Sequence, residues 1–219
     1  MKIARTFLAM QKPGAPKFGV WTKRVALLCG VFCACSLLPA QTPPKNQFDE
    51  SGQIDVADQS TPYRIRRLPV SSFPDLPAKL QDLLNQRGCL IPQTYEAHAP
   101  ENVVHASLER QGSSDWAVLC STQGSVSLLV YFSSAPDHLH ALASAAETQR
   151  LQAHDASGIL GFNWGIDPAS PERIHEAQTG LAPRPARLDH DALADTILDH
   201  RAVYHYFQKS AWTLVHVPE

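Results

Sequence analysis

Leucines at 76, 80, 83 and 84 recur at the i, i+4, i+7 and i+8 spacing of one helical face. Asp75 is a capping residue type just before them, and Gly88 suits the left-handed turn that closes many helices. The spacing predicts a helix over 76–87, with Pro77 in the first turn, where a missing N–H is harmless. Three strand signals follow at 102–108, 115–121 and 125–132, joined by turn-forming links at 110–114 and 122–124. Links that short favour an antiparallel meander. In the first strand Val104, Ala106 and Leu108 alternate with His105, Ser107 and Glu109, so one face is wet. The other two are apolar almost throughout, which makes them central.

Beyond the meander the pattern weakens. An Ala-rich stretch at 135–154, with Leu139, Leu142 and Leu151, predicts a helix after Pro136, and the Gly-punctuated aromatic stretch 158–166 predicts a strand. Ser170 before Pro171 starts a short helix that stops near Gly180. Asp189 caps a further helix through Leu198, burying Leu193, Ile197 and Leu198. A hairpin of 202–207 and 211–217 closes the chain, with Tyr206 and Trp212 in the core or on the sheet face. Toward the N-terminus, 62–73 reads as an edge strand or strap. Residues 41–61, rich in Gln, Asp, Ser and Pro, read as a flexible leader, because they offer too little apolar surface to offset their ordering entropy. The expected fold is one α+β domain over 62–219. Its antiparallel sheet has five or six strands, the meander plus the hairpin, and helices cover one side.

The first forty residues alter this picture by giving the protein a destination. Lys2, Arg5, Lys12, Lys17, Lys23 and Arg24 precede an apolar run at 25–38 with no acid among them, the pattern of a secretory signal over 1–40. A membrane-spanning helix needs about 20 apolar residues, more than this run holds. Ala40 is a small residue at the expected cleavage position, and a periplasmic or extracellular location follows. Ala34 before Cys35 resembles a lipoprotein box, so an envelope lipoprotein anchored by lipid at Cys35 is the alternative. Six of the nineteen basic residues lie in the signal, leaving thirteen against twenty-one acidic side chains and a mature charge near −8. That balance argues against nucleic acid, which needs clustered Lys and Arg; Arg64, Arg66 and Arg67 form the densest basic group. Of five cysteines, only Cys89 and Cys120 survive processing, and an even pair in an oxidising compartment reads as one disulfide.

Taken together, RGCLIPQ at 87–93, NVV at 102–104, DWAVLCS at 115–121, LLV at 128–130, LDH at 188–190, VYHYF at 203–207 and Trp212 resemble an uncharacterised family of exported bacterial proteins. The resemblance spans 76–217 and implies an architecture and a compartment, with no assigned activity. A fainter likeness is to calcium-binding propeller repeats. The loop 109–115 lacks the carboxylates calcium requires, and a single copy is no array.

Candidate chemistry gathers at Asp189, His190, Asp191, Asp195, Asp199, His200 and His205. On the expected helix, acids at 191, 195 and 199 line one stripe that can supply oxygen ligands beside an imidazole. The same acids equally suit a helix N-terminus and a solvated face, and no HExxH pair supports a metal. His105 and Asp115 are two further candidates, with outward strand and turn positions as their structural readings. There is no GxSxG elbow, phosphate-cradling Gly-rich loop or dinucleotide fingerprint, so no cofactor is implied. The expected function is a non-enzymatic envelope or extracellular module binding a protein, peptide or glycan. A small hydrolase or metal-dependent enzyme using His105, Asp115, His190, Asp191 or His205 is the alternative.

Overall fold

The computed structural model describes residues 48–198, 200 and 202–216. The expected signal at 1–40, the anchor position Cys35, the start of the leader and Asp199 lie outside them. Among the described residues no helix is long and apolar enough to cross a membrane.

The fold is built mainly from strands, and the single helix-covered sheet of five or six strands does not hold. A nine-stranded sheet contains β1 (Asp49–Val56), β2 (Gln59–Pro69), β3 (Leu90–Gln93), β4 (Val103–Ala106), β5 (Asp115–Thr122), β6 (Ser125–Tyr131), β7 (His140–Ala146), β8 (Leu151–Ala153) and β9 (Leu160–Phe162). Its main order is β7-β6-β5-β3-β2-β9-β8, with β1 on β2 and β4 on β5. The β2–β9 pairing is parallel, so the sheet is mixed. A four-stranded antiparallel sheet runs in the order β10 (Trp164–Ala169), β11 (Ala192–Ile197), β12 (Val203–Gln208), β13 (Ala211–His216). Two short helices accompany them, α1 (Ala78–Gln86) and α2 (Pro171–Ala177).

Period-two side-chain alternation sorts these elements into four layers. From β5 and β6, Ala117, Leu119, Val126, Leu128 and Val130 join Trp164, Ile166 and Leu193 of the small sheet in a core between the sheets. The intervening Val118, Cys120, Leu129 and Tyr131 face the other way, onto Leu80 and Leu84 of α1. That double burial explains why both strands are apolar throughout. The far face of the small sheet packs Ala192, Ala194, Tyr204 and Tyr206 against Ile174 of α2. Each fully buried leucine contributes about 1.5–3 kcal/mol by leaving water.

The meander, the second helix and the closing hairpin match their expected places. Ser170 caps α2 by accepting from the Arg173 N–H at 3.3 Å, and β12 and β13 pair through a turn at Lys209 and Ser210. Around α1 the detail differs: Pro77 is the N-cap and no side chain caps the helix, so Asp75 does not serve there. Gly88 has φ +70, as the helix end requires. Three further expectations fail. Residues 49–61 are not a leader but form β1 and the start of β2; because β1 pairs with β2 alone and is largely exposed, it carries no apolar periodicity to announce it. The Ala-rich stretch at 140–146 is β7, since pairing with β6 sets Leu142, Ala143 and Ala145 against the inter-sheet core and overrides alanine's helical preference. The helix expected from Asp189 to Leu198 is β11, where Leu193 enters one core while Ala192 and Ala194 enter another.

Polar side chains hold the layers in place. Asn102, 3% exposed and with φ +67, donates from Nδ2 to the carbonyls of Pro92 (2.7 Å) and Trp164 (3.2 Å) and accepts from the Ile166 N–H at 3.1 Å. Arg67 of β2 meets Glu147, between β7 and β8, through Nε (2.9 Å) and Nη2 (2.6 Å), and both residues are buried. Ser121 donates to Glu147 at 2.6 Å and Glu50 adds a second carboxylate to Arg67 at 3.2 Å. Burial alone lowers the Arg67 pKa, but the hydrogen bond and charge of Glu147, helped by Glu50, hold it above its ordinary value. The disulfide Cys89–Cys120 closes the end of α1 onto β5, with Cα atoms 5.2 Å apart.

Two stability outcomes follow. Replacing both cysteines by alanine frees a loop with a sequence separation of 31 and costs about 3.5–4 kcal/mol by chain entropy, read as a lower urea midpoint. Glu147→Gln leaves the buried guanidinium without its charge partner and costs about 3–5 kcal/mol, whereas Arg67→Met with Glu147→Met costs less than the sum of the single changes in a double-mutant cycle.

Candidate functional site

The five residues singled out in the sequence are scattered. Asp115 is fully buried, and its carboxylate accepts from the N–H groups of Leu108 (3.0 Å), Glu109 (2.8 Å) and Ser133 (2.9 Å) and from the hydroxyls of Ser133 and Ser113. It ties together the loop ends around β4, β5 and β6. His105 is exposed, stacks on Trp116 with centroids 4.3 Å apart, and places Nε2 2.7 Å from the Ser114 hydroxyl. No carboxylate among the described residues is hydrogen-bonded to its other ring nitrogen. His190 is buried between Asp189 (2.8 Å) and the Phe207 carbonyl (2.8 Å), which accepts a hydrogen bond from Nε2. The bond to His190 holds the exposed Asp189 carboxyl below its ordinary range.

Asp191 exchanges hydrogen bonds with the Ser107 backbone, joining the approach to β11 to the end of β4. His205 pairs with Asp195 instead, at 3.0 Å, and the other Asp195 oxygen accepts from the Trp164 indole at 2.6 Å. The acidic stripe expected on a helix therefore does not exist. None of the described pockets brings two of these five candidates together. No group of three or more His, Cys, Asp or Glu has metal-binding geometry among the described residues.

The better site comes from the basic group in β2. Strand alternation splits it: Ile65 and Arg67 turn inward, while Arg64 and Arg66 emerge on the opposite face. There they line a groove of about 360 Å³ with Tyr95, His154, Asp155 and Gly161. Tyr95 and His154 form a stacked pair, with centroids 4.5 Å apart and planes inclined by 15°. The stack is anchored because the Tyr95 N–H donates to the Phe162 carbonyl at 2.8 Å. Arg66 donates to the Ala97 carbonyl at 2.9 Å, and this steadies the wall beside it. Arg64 lies 3.9 Å from Asp49, with two-thirds of its side chain exposed, a weak pairing that leaves the guanidinium able to turn into the groove. Hydrogen bonds from the Ser157 side chain and backbone hold the Asp155 carboxyl below its ordinary range.

Sequence reasoning named the arginines but missed Tyr95, His154 and Gly161, whose meeting depends on the parallel β2–β9 pairing. The one local trace was a glycine between Leu160 and Phe162. A Cβ on Gly161 would lie 2.5 Å from the Tyr95 Cβ, so only glycine admits the tyrosine here. Gly161→Ala is expected to displace Tyr95, lose about 1–3 kcal/mol of stability and weaken the near-ultraviolet dichroism of the tyrosine.

No family model, no curated protein and no solved structure matches this chain.

Proposed function

We propose that this protein is an exported, non-enzymatic binding module whose ligand is an acidic carbohydrate held in the groove beside β2. The observation that carries the reading is the pair of guanidiniums, Arg64 and Arg66, flanking the stacked rings of Tyr95 and His154. A flat aromatic platform takes the apolar face of a sugar ring, and arginine's planar fork matches a carboxylate. The groove is half open to solvent beside β2, so a surface segment of a larger carbohydrate can reach it. Export is supported by the basic segment and apolar run at the N-terminus, and the disulfide is compatible with an oxidising compartment. The hydrolase or metal-enzyme reading has less support, because its candidate residues occupy separate structural roles.

Titration calorimetry with a short galacturonate oligomer, set against a neutral galactose oligomer of equal length, tests the proposal. The acidic oligomer is expected to bind more tightly and to lose affinity as salt rises. Arg64→Ala should weaken it about tenfold, roughly 1.4 kcal/mol. His154→Ala should weaken both oligomers. Equal binding of the two, or no binding of the acidic one, would overturn the assignment.

A further inference from the structure

A second opening lies between the two sheets, away from the β2 groove. At one end of the inter-sheet core the rings of Phe132, Phe207 and Trp212 close the space, with centroid separations of 4.8–5.8 Å. Toward the other end a cleft of about 280 Å³ remains between β7 and the inward face of β11, β12 and β13. Leu142, Ile197, Val203 and Leu214 form its apolar walls, beside the polar Arg150, Asp195, His205 and His216, and Leu214 is 46% exposed at the lip.

Arg150 is the unusual member of this cleft. Its guanidinium lies 4.2 Å from the centroid of the fully buried Trp164 ring. Its Nε is buried without a hydrogen-bond partner, and no carboxylate among the described residues pairs with it. Asp195, which lines the same cleft, is already engaged on both oxygens by the Trp164 indole and His205. A cation is thus stacked on an aromatic floor without a hydrogen-bonded carboxylate of its own, in a cleft that Asp195 also lines. His205 and His216 add further polar edges. Nε has no accessible surface, so an occupant of the cleft would meet the terminal nitrogens of the guanidinium, for which a planar carboxylate is the complementary partner.

We infer that the inter-sheet cleft binds a small carboxylate with an apolar body, such as an aryl or branched-chain acid, its charge against Arg150 and its hydrocarbon among Leu142, Ile197, Val203 and Leu214. The volume limits the occupant to roughly ten heavy atoms, and at about 0.4 kcal/mol per atom such an occupant binds near a millimolar concentration. The cleft and the β2 groove share no lining residue, so this inference does not rest on the carbohydrate reading.

Benzoate, with benzyl alcohol as its neutral counterpart, is the probe. Amide chemical-shift titration of the full protein is expected to show benzoate perturbing β11–β13 and saturating near a millimolar concentration. Benzyl alcohol should bind at least fivefold more weakly. Arg150→Met should weaken benzoate about tenfold, and His154→Ala should leave it unchanged. Because Arg150 also covers Trp164, a second variant guards against misfolding. Leu214→Glu alters a half-exposed wall residue at the lip and adds a negative charge at the mouth, so it should weaken benzoate more than it weakens benzyl alcohol. Absence of saturable shifts, equal binding of acid and alcohol, or unchanged benzoate affinity in both variants would overturn the inference.

Discussion

Asn102 is the constraint on which the relation between the two sheets depends. It belongs to the large sheet by position, immediately before β4, and accepts the Leu119 N–H of β5 at its own carbonyl. Its side chain reaches β3 on one side and one edge of the β10 backbone on the other. Few residue types can do this. The backbone must enter the left-handed region, which asparagine tolerates, and the side chain must both donate and accept. The reciprocal bonds between Asp191 and Ser107 make a second bridge of the same kind. Dispersion and hydrophobic burial hold the sheets together but do not distinguish one angle from another; these directional contacts do.

The same economy governs charge. The three arginines of β2 share a sequence neighbourhood but not a role. Alternation sends Arg67 into a buried pair with Glu147 that links β2, β5 and the β7–β8 connection, while Arg64 and Arg66 remain available at the surface. A buried ion pair of this kind does little for net stability compared with apolar packing. It does penalise any register that leaves either charge alone, so structural specificity is its main contribution. Exposed surface charge and internal strand registration thereby come from one short basic run.

What could be read from the chain depended on distance in sequence. The meander, the Ser170-capped helix, the closing hairpin and the disulfide rest on local turns, a local cap or an even count of two cysteines, and each of these is written in adjacent residues. The strands β1, β7 and β11 are not. β7 is built from alanines whose intrinsic preference is helical, and β11 is buried on both faces, so its pattern does not alternate between apolar and polar. The groove fared similarly: Arg64 and Arg66 stood out as a cluster, but Tyr95 and His154 come together only through segments far apart in the chain. His105, Asp115, His190, Asp191 and His205 attracted attention by residue type, and their surroundings show why type is insufficient. Asp115 and His190 have their polar atoms committed to neighbouring backbone and side chains.

The parallel pairing of β2 with β9 joins Tyr63 to Leu160 and Arg64 to Gly161, so nearly one hundred residues must be organised before that ladder closes. Intervening strands can zip locally, but this step depends on bringing distant segments together, and such topologies fold slowly. The wall of the β2 groove that carries Gly161 thus forms only when this long loop closes, whereas the meander needs only neighbouring segments. For this chain, the groove and the completed large sheet depend on the same long-range pairing.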